Sequence, residues 1–262
     1  MAVDEAVPPP LSGRRVLTRE VWLVFALSLG ASGVSALISF LGSVTAGKTL
    51  NRQTASLITD AAPGRPWLGL AWQLFSLATA LVPVALVAHL MDRGGEPLGR
   101  TLGVGWVPRG TDLLRGAGVA AVIGGSGLGL YLAARGLGAN LTVVPSTLGK
   151  VWWRIPVLVL SAVQNAVLEE VIVLGYLLHR LGQLGRPEWK ADATSALVRG
   201  SYHLYQGLGG LVGNMVMGLI FARLYRRWGR VMPLLVAHAL IDTVAFIGSV
   251  ALSGKVSWLP RH

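Results

Sequence analysis

Hydrophobic residues run through this chain in long blocks, not in the alternating or one-face patterns of a soluble domain. Blocks of this kind occupy about Val21–Val44, Trp67–Leu90, Gly116–Ala134, Ile155–Leu178, Gly210–Leu224 and Val231–Leu252. A spanning helix needs about 20 predominantly apolar residues, and each block reaches or approaches that length. A seventh stretch, Ala193–Tyr205, is weaker and carries Arg199 and His203, so it must face the protein interior or water, not lipid. Counted as a short span, it puts the flanking basic loops on one side. The pattern predicts an all-α polytopic transmembrane helix bundle of about seven spans (six to eight), with a cytoplasmic tail over residues 1–20 and a single membrane domain over 21–262. The first block follows Asp4, Glu5 and the run Pro8 to Pro10 and is longer than a signal-peptide core, so it reads as a retained span.

Composition agrees. The chain has 262 residues, of which 53% are hydrophobic and 13% charged, and its mean hydropathy is +0.59. A net charge of +11 would suit nucleic acid, but the basic residues fall in short clusters between apolar blocks, where membrane topology and anionic lipid account for them. Nucleic acid is therefore not an expected partner; the lipid bilayer is. There is no cysteine, which removes disulfides, thiolate nucleophiles, cysteine-ligated metals and cysteine lipidation. With the N-terminus in the cytoplasm, fourteen Lys and Arg residues lie in cytoplasmic loops and eight opposite, with Arg199 inside a span. This bias favours a multi-pass protein of the plasma membrane, N-terminus in and C-terminus out. Trp22, Trp67, Trp106, Trp152, Trp153 and Trp228 near the block ends suit an interfacial aromatic belt.

Against this background the tandem Glu169-Glu170 stands out, because a carboxylate inside an apolar span costs several kcal/mol unless paired or protonated. Under the seven-span topology the pair lies roughly 15 Å from the cytoplasmic surface, His203 at a similar depth, and His238 and Asp242 at roughly 10 to 16 Å. Three helices thus deliver ionisable residues to one layer. Arg199 and His203 are four apart, as are His238 and Asp242, so each pair shares a helix face. Glu169 and Glu170 lie about 100° apart around a helix, so one can enter a site while the other braces it. The set offers a carboxylate general base, imidazole donors or ligands, and a carboxylate able to orient an imidazole. Ser195, Ser201 and Tyr202 near His203 lack a recognisable activating context for a serine nucleophile. Gln164 and Asn165 read chiefly as helix-packing residues, and Gly209 with Gly213 as a close-packing pair.

The run from Glu169 to Leu178, the run Ser195 to His203 and the run Pro233 to Asp242 together resemble the CAAX-protease and bacteriocin-processing family of intramembrane proteases. That family shows Glu-Glu-x-x-x-Arg, Phe-x-x-x-His and His-x-x-x-Asn or Asp motifs in this order, and the resemblance covers about residues 155–246, the expected catalytic core. Two positions depart from it. The motif arginine falls at Leu174, and the motif phenylalanine falls at Arg199. The charge missing from one helix appears on another, so Arg199 is expected to pair with Glu170.

The resemblance implies an intramembrane endopeptidase acting on a membrane-associated peptide or protein. Carried over to this chain, Glu169 would activate water, Glu170 would brace it, His203 would hold the water or polarise the carbonyl, and His238 with Asp242 would bind the oxyanion. An ionised Asp242 cannot donate to an oxyanion, so it must be protonated, orient His238 or bind a metal. No further cofactor is implied. Zinc or another divalent metal stays open: Glu169, His203 and His238 would form a two-His, one-carboxylate set, but no His-Glu-x-x-His signature occurs, and the glutamate mechanism without metal is favoured. The rival readings are a non-proteolytic membrane adaptor or peptide-toxin immunity protein of the same fold, and a proton-coupled carrier relaying through Glu169 and His203. The last four spans are expected to enclose a polar cavity open to the cytoplasmic leaflet.

Overall fold

The computed structural model describes residues 11–105 and 107–256, so part of the 1–20 tail, Trp106 and Arg261 lie outside the described residues. Helices α1 (Leu11–Ala26) and α2 (Leu29–Thr45) form the first apolar block, bent by 49° at the break between them. The second block is α3 (Pro66–Ala80) and α4 (Val82–Arg93), which together make a span of 28 residues. Pro83 sits in the first turn of α4, where a missing N–H is tolerated and where the ladder from α3 is interrupted. After the short α5 (Leu98–Thr101) come α6 (Gly110–Gly136), α7 (Arg154–Glu169), a π-helical segment Glu170–Tyr176 and α8 (Leu177–Gln183). The last four elements are α9 (Glu188–Ser201), a 3-10 turn Leu204–Gln206, α10 (Leu208–Trp228) and α11 (Met232–Leu252).

Five helical stretches among the described residues are long and apolar enough to cross a membrane, and six if the bent α1–α2 pair is one span. The expected short span Ala193–Tyr205 does not pass that measure. Its helix, α9, begins earlier at Glu188 and has 14 residues, so it rises roughly 21 Å against a hydrocarbon core of about 30 Å. It nevertheless runs antiparallel beside α10 from one end of the bundle to the other. Arg226 of α10 pairs with Glu188 and Asp192 at one end, and Gly207 bridges to Asn140 at the other. Residues 202–207 complete the passage that the helix leaves unfinished. Burial among neighbouring helices is what lets so polar a helix lie there.

One feature departs from an all-helical chain: β1 (Thr54–Ile58) and β2 (Thr142–Ser146) pair in parallel, Thr54 opposite Thr142 through Ile58 opposite Ser146. Both are short runs bearing β-branched residues in the loops that follow the first and third blocks, and they tie those loops together at the end of the bundle remote from Arg226.

The span Arg154–Gln183 is the axis of packing. Every residue of its π segment is buried. Val171, Ile172, Val173 and Tyr176 pack with Val24, Phe25, Leu29, Val87 and Met91 on one side, and Leu174 and Leu178 with Phe221, Leu234 and Ala237 on the other. Gly209 and Gly213 do allow a close approach: a Cβ at Gly209 would stand 2.6 Å from that of Ala134, and one at Gly213 3.1 Å from Leu130 of α6. The belt reading holds for Trp22, Trp67 and Trp152, which are exposed, but Trp153 is buried against Val157 and Phe246. The arginine-rich end is fastened by ion pairs. Arg180 and His179 both meet Glu96, and Arg230 forks onto Asp112 through Nε at 3.1 Å and Nη2 at 2.8 Å.

Candidate active site

The two glutamates occupy the junction between α7 and the π segment. There the backbone ladder widens: Leu177 N–H reaches the carbonyl of Ile172, five residues back. The Ser195 hydroxyl donates to the Val173 carbonyl at 2.7 Å, so α9 contributes a hydrogen bond within the widened stretch. Ser201 likewise donates to the Val198 carbonyl. Neither serine is turned toward His203 as a nucleophile.

Glu170 is wholly buried and carries two partners. Arg199 Nη2 donates to both of its carboxylate oxygens at 2.7 Å, and His238 Nδ1 donates to Oε1 at 2.7 Å. The guanidinium also lies over the ring of Phe221, 5.4 Å from its centroid. The pairing expected between Arg199 and Glu170 is thus present. Leu174, at the vacated motif position, packs in the apolar cluster with Phe221 and Leu234, and Phe221 is the ring over which the Arg199 guanidinium lies.

Glu169 faces a different set. The Tyr202 hydroxyl donates to its Oε2 at 2.7 Å, Arg199 Nη1 stands 3.6 Å from the same oxygen, and His203 Nε2 stands 3.7 Å from Oε1. Gln206 Nε2 donates to His203 Nδ1 at 3.3 Å, which assigns the proton of a neutral ring to Nε2, the nitrogen facing Glu169. Arg199 therefore spans both acids, and the tandem divides as its 100° separation requires: Glu170 tied into helices α9 and α11, Glu169 held against Tyr202 and His203.

Asp242 approaches the other face of His238, with Oδ2 3.6 Å from Nε2, and Asn165 Nδ2 reaches the same oxygen at 3.5 Å. All six residues singled out in the sequence, Glu169, Glu170, Arg199, His203, His238 and Asp242, stand in one contiguous network. Sequence reasoning missed Tyr202 as a partner of Glu169 and Gln206 as a partner of His203. It also assigned Asn165 to packing. Their signal was slight: Tyr202 adjoins His203 in a turn, and only the bend of the chain after Ser201 brings its hydroxyl to the acid.

The donor set does not fit a metal. One nitrogen of His238 is turned to Glu170 and the other to Asp242, and one oxygen of Glu169 takes the Tyr202 hydroxyl. Among the described residues, no three His, Asp or Glu side chains gather in a geometry that could hold an ion. The expected cavity also differs. A groove of about 670 Å³ lies beside Tyr202 and Tyr205, bounded by α2, β1 and Leu141 rather than by the last four spans alone.

Residues 151–244 match the family model described as type II CAAX prenyl endopeptidase, Rce1-like. No curated protein and no solved structure matches the chain. The matched segment holds both glutamates, Arg199, both histidines and Asp242, so the stretch in which these side chains converge is the stretch that is similar to the CAAX-protease family.

Proposed function

We propose that this chain is an intramembrane endopeptidase in which Glu169 activates water against a peptide bond of a membrane-associated substrate. The family match supports a CAAX-type membrane protease in general terms. The observation that carries the finer reading is the unequal treatment of the two acids: Glu170 is consumed by Arg199 and His238, while Glu169 presents Oε1 toward His203 at a distance too long for a direct hydrogen bond, 3.7 Å.

In this reading Oε1 of Glu169 takes a proton from water as the oxygen attacks the scissile carbonyl carbon. His203 Nε2–H donates to the oxygen on which negative charge develops. The proton held by Glu169 then passes to the departing amine as the C–N bond breaks. Tyr202 fixes the orientation of Glu169, and the Glu170–Arg199–His238 triad holds the two helices that carry the reacting groups. Asp242 orients His238. No step uses a metal; both nitrogens of His238 and one oxygen of Glu169 are directed at other side chains. The fourteen-to-eight bias of basic residues supports a cytoplasmic N-terminus in the plasma membrane, and the family description supports a prenylated, C-terminal Cys-aliphatic-aliphatic-X peptide as substrate.

The test is cleavage of a farnesylated peptide of that type by the full chain in lipid vesicles. Wild type is expected to release the terminal tripeptide and Glu169→Gln to release none. Equal release by both would overturn the role of Glu169 as base, and release by neither across varied peptides would overturn the proteolytic reading in favour of an adaptor.

A further inference from the structure

The face of α2 turned toward the groove is unlike the rest of that helix. Ser32, Ser35, Ser39 and Ser43 recur at three-, four- and four-residue spacing in an otherwise apolar helix, while Val34, Leu37, Ile38, Leu41 and Val44 make up its exposed apolar surface. Hydroxyls inside a membrane helix normally turn back to their own helix carbonyls. Ser32 and Ser43 do so, donating to Ser28 and Ser39 carbonyls at 3.5 and 3.0 Å. Ser35 and Ser39 are exposed, and among the described residues their hydroxyls have no hydrogen-bond partner. Acyl chains offer such groups nothing.

Two further walls bear on what the groove accepts. Thr54 and Ala55 of β1 line it, and β1 is paired with β2 along one edge only. Among the described residues its other edge has no strand partner, an arrangement open to strand addition. Opposite α2 lie Tyr202 and Tyr205. Tyr202 lines the groove and its hydroxyl holds Glu169, so a single residue joins the groove to the carboxylate. Helix α2 can lie this close to α9 because residue 33 is glycine: a Cβ there would stand 2.9 Å from the Ser201 hydroxyl.

We propose that this groove receives an extended polypeptide segment of the substrate, laid along Ser35 and Ser39 and against β1, with the scissile bond carried past Tyr202 to Glu169. The proposal deepens the proteolytic reading and rests on it for the identity of Glu169. An extended chain brings an unpaired N–H and C=O at each residue, and each costs several kcal/mol in hydrocarbon without a partner. A row of hydroxyls and a strand edge supply those partners; an acyl or isoprenoid chain needs neither. From Ser35 to Ser43 the row runs roughly 12 Å, the reach of about four extended residues. Leu141, Thr54 and Ala55 border the groove toward the end of the bundle away from Glu188 and Arg226.

The absence of cysteine makes a direct test clean. The probe is a peptide ending in a farnesylated cysteine and an aliphatic tripeptide, with one thiopyridyl-activated cysteine upstream. The proteins are full chains in vesicles carrying Glu169→Gln together with Ser39→Cys, Ser35→Cys or, as controls on the lipid face of α2, Val34→Cys or Ile38→Cys. Trapping of the peptide at positions 35 and 39 but not at 34 and 38 is expected; equal trapping at all four, or none, overturns the groove. In parallel, Ser35→Leu with Ser39→Leu on the active chain should raise KM roughly tenfold with kcat little changed, and an unchanged KM also overturns it. Selective trapping without cleavage by wild type would sink the proteolytic reading and leave the groove standing. Cleavage without selective trapping would do the reverse.

Discussion

Helix α6 and the span Arg154–Gln183 are nearly equal in apolar character, with mean hydropathy 1.6 and 1.9 over their best windows, yet 0% of the first window and 61% of the second is buried within the protein. Hydropathy reports that a segment prefers to leave water; lipid and protein both satisfy that preference. What separates the two is their polar content. In its membrane-embedded stretch α6 carries Ser126, whose hydroxyl bonds back to the Val122 carbonyl and needs no neighbour. The central span carries Glu169 and Glu170, which cannot be satisfied within one helix and so must be surrounded by donors from others. The most costly side chains occupy the segment with the most neighbours. The same surroundings that make them tolerable make them usable, since donors aimed at an acid in a dry site are what proton transfer requires.

The largest effect follows from the difference between the two acids. Glu169→Gln keeps shape and removes the base, so the rate of peptide cleavage should fall by about 10²- to 10⁴-fold, with the folded fraction unchanged in a thermal assay of the detergent-solubilised protein. A variant that loses activity only in proportion to lost fold would assign Glu169 to the scaffold along with Glu170.

Next comes the brace. Arg199→Phe leaves the Glu170 carboxylate buried with His238 alone, and breaking such a pair costs about 3–5 kcal/mol. Adding Leu174→Arg returns a guanidinium on the same helix as Glu170, four residues on, where the related motif carries it. The double variant should therefore recover activity that Arg199→Phe loses. Equal loss in both would show that the charge has not been exchanged between helices and that Arg199 serves Glu169 directly.

Substitutions without charge sharpen the contrast between the spans themselves. Ile172→Ala, at a site with 0% exposure, should lower stability by about 2–5 kcal/mol. Val122→Ala in α6, at a site 71% exposed, should change it by less than about 0.5 kcal/mol. Unfolding of the two variants in matched detergent measures both.

Much of this arrangement was legible in the sequence. The apolar blocks gave the spans, because bilayer thickness dictates their length. The acids and imidazoles gave the site, because each is too costly in lipid to be there without partners. The exchange between Leu174 and Arg199 could be read from motif spacing alone. What was hidden depends on backbone path. The π segment takes a hydrogen bond from the Ser195 hydroxyl of another helix, a contact that no local pattern announces. The β1–β2 pair joins loops 88 residues apart in register, with no local cue but β-branched content. The end of α9 at Ser201, six residues before the left-handed Gly207, turns Tyr202 inward, and nothing in a tyrosine at that position distinguishes it from one facing lipid.

Tyr202 accordingly offers the finest test of how Glu169 differs from Glu170. Glu170 has a guanidinium and an imidazole to fix it; Glu169 has one short hydrogen bond, from the Tyr202 hydroxyl at 2.7 Å. Tyr202→Phe removes that bond and nothing else, since the ring remains packed beside His203, 4.9 Å between centroids. A hydrogen bond to a charged group contributes about 1.5 kcal/mol at the low end of its range, which corresponds to roughly a tenfold loss in kcat. Because Tyr202 also lines the groove and the substitution keeps its ring, KM should stay near the wild-type value, which separates loss of orientation at the carboxylate from loss of substrate contact. A rise in KM with unchanged kcat would instead mean that the hydroxyl serves the peptide rather than the acid, and that Glu169 is held in place by Arg199 and His203 without it.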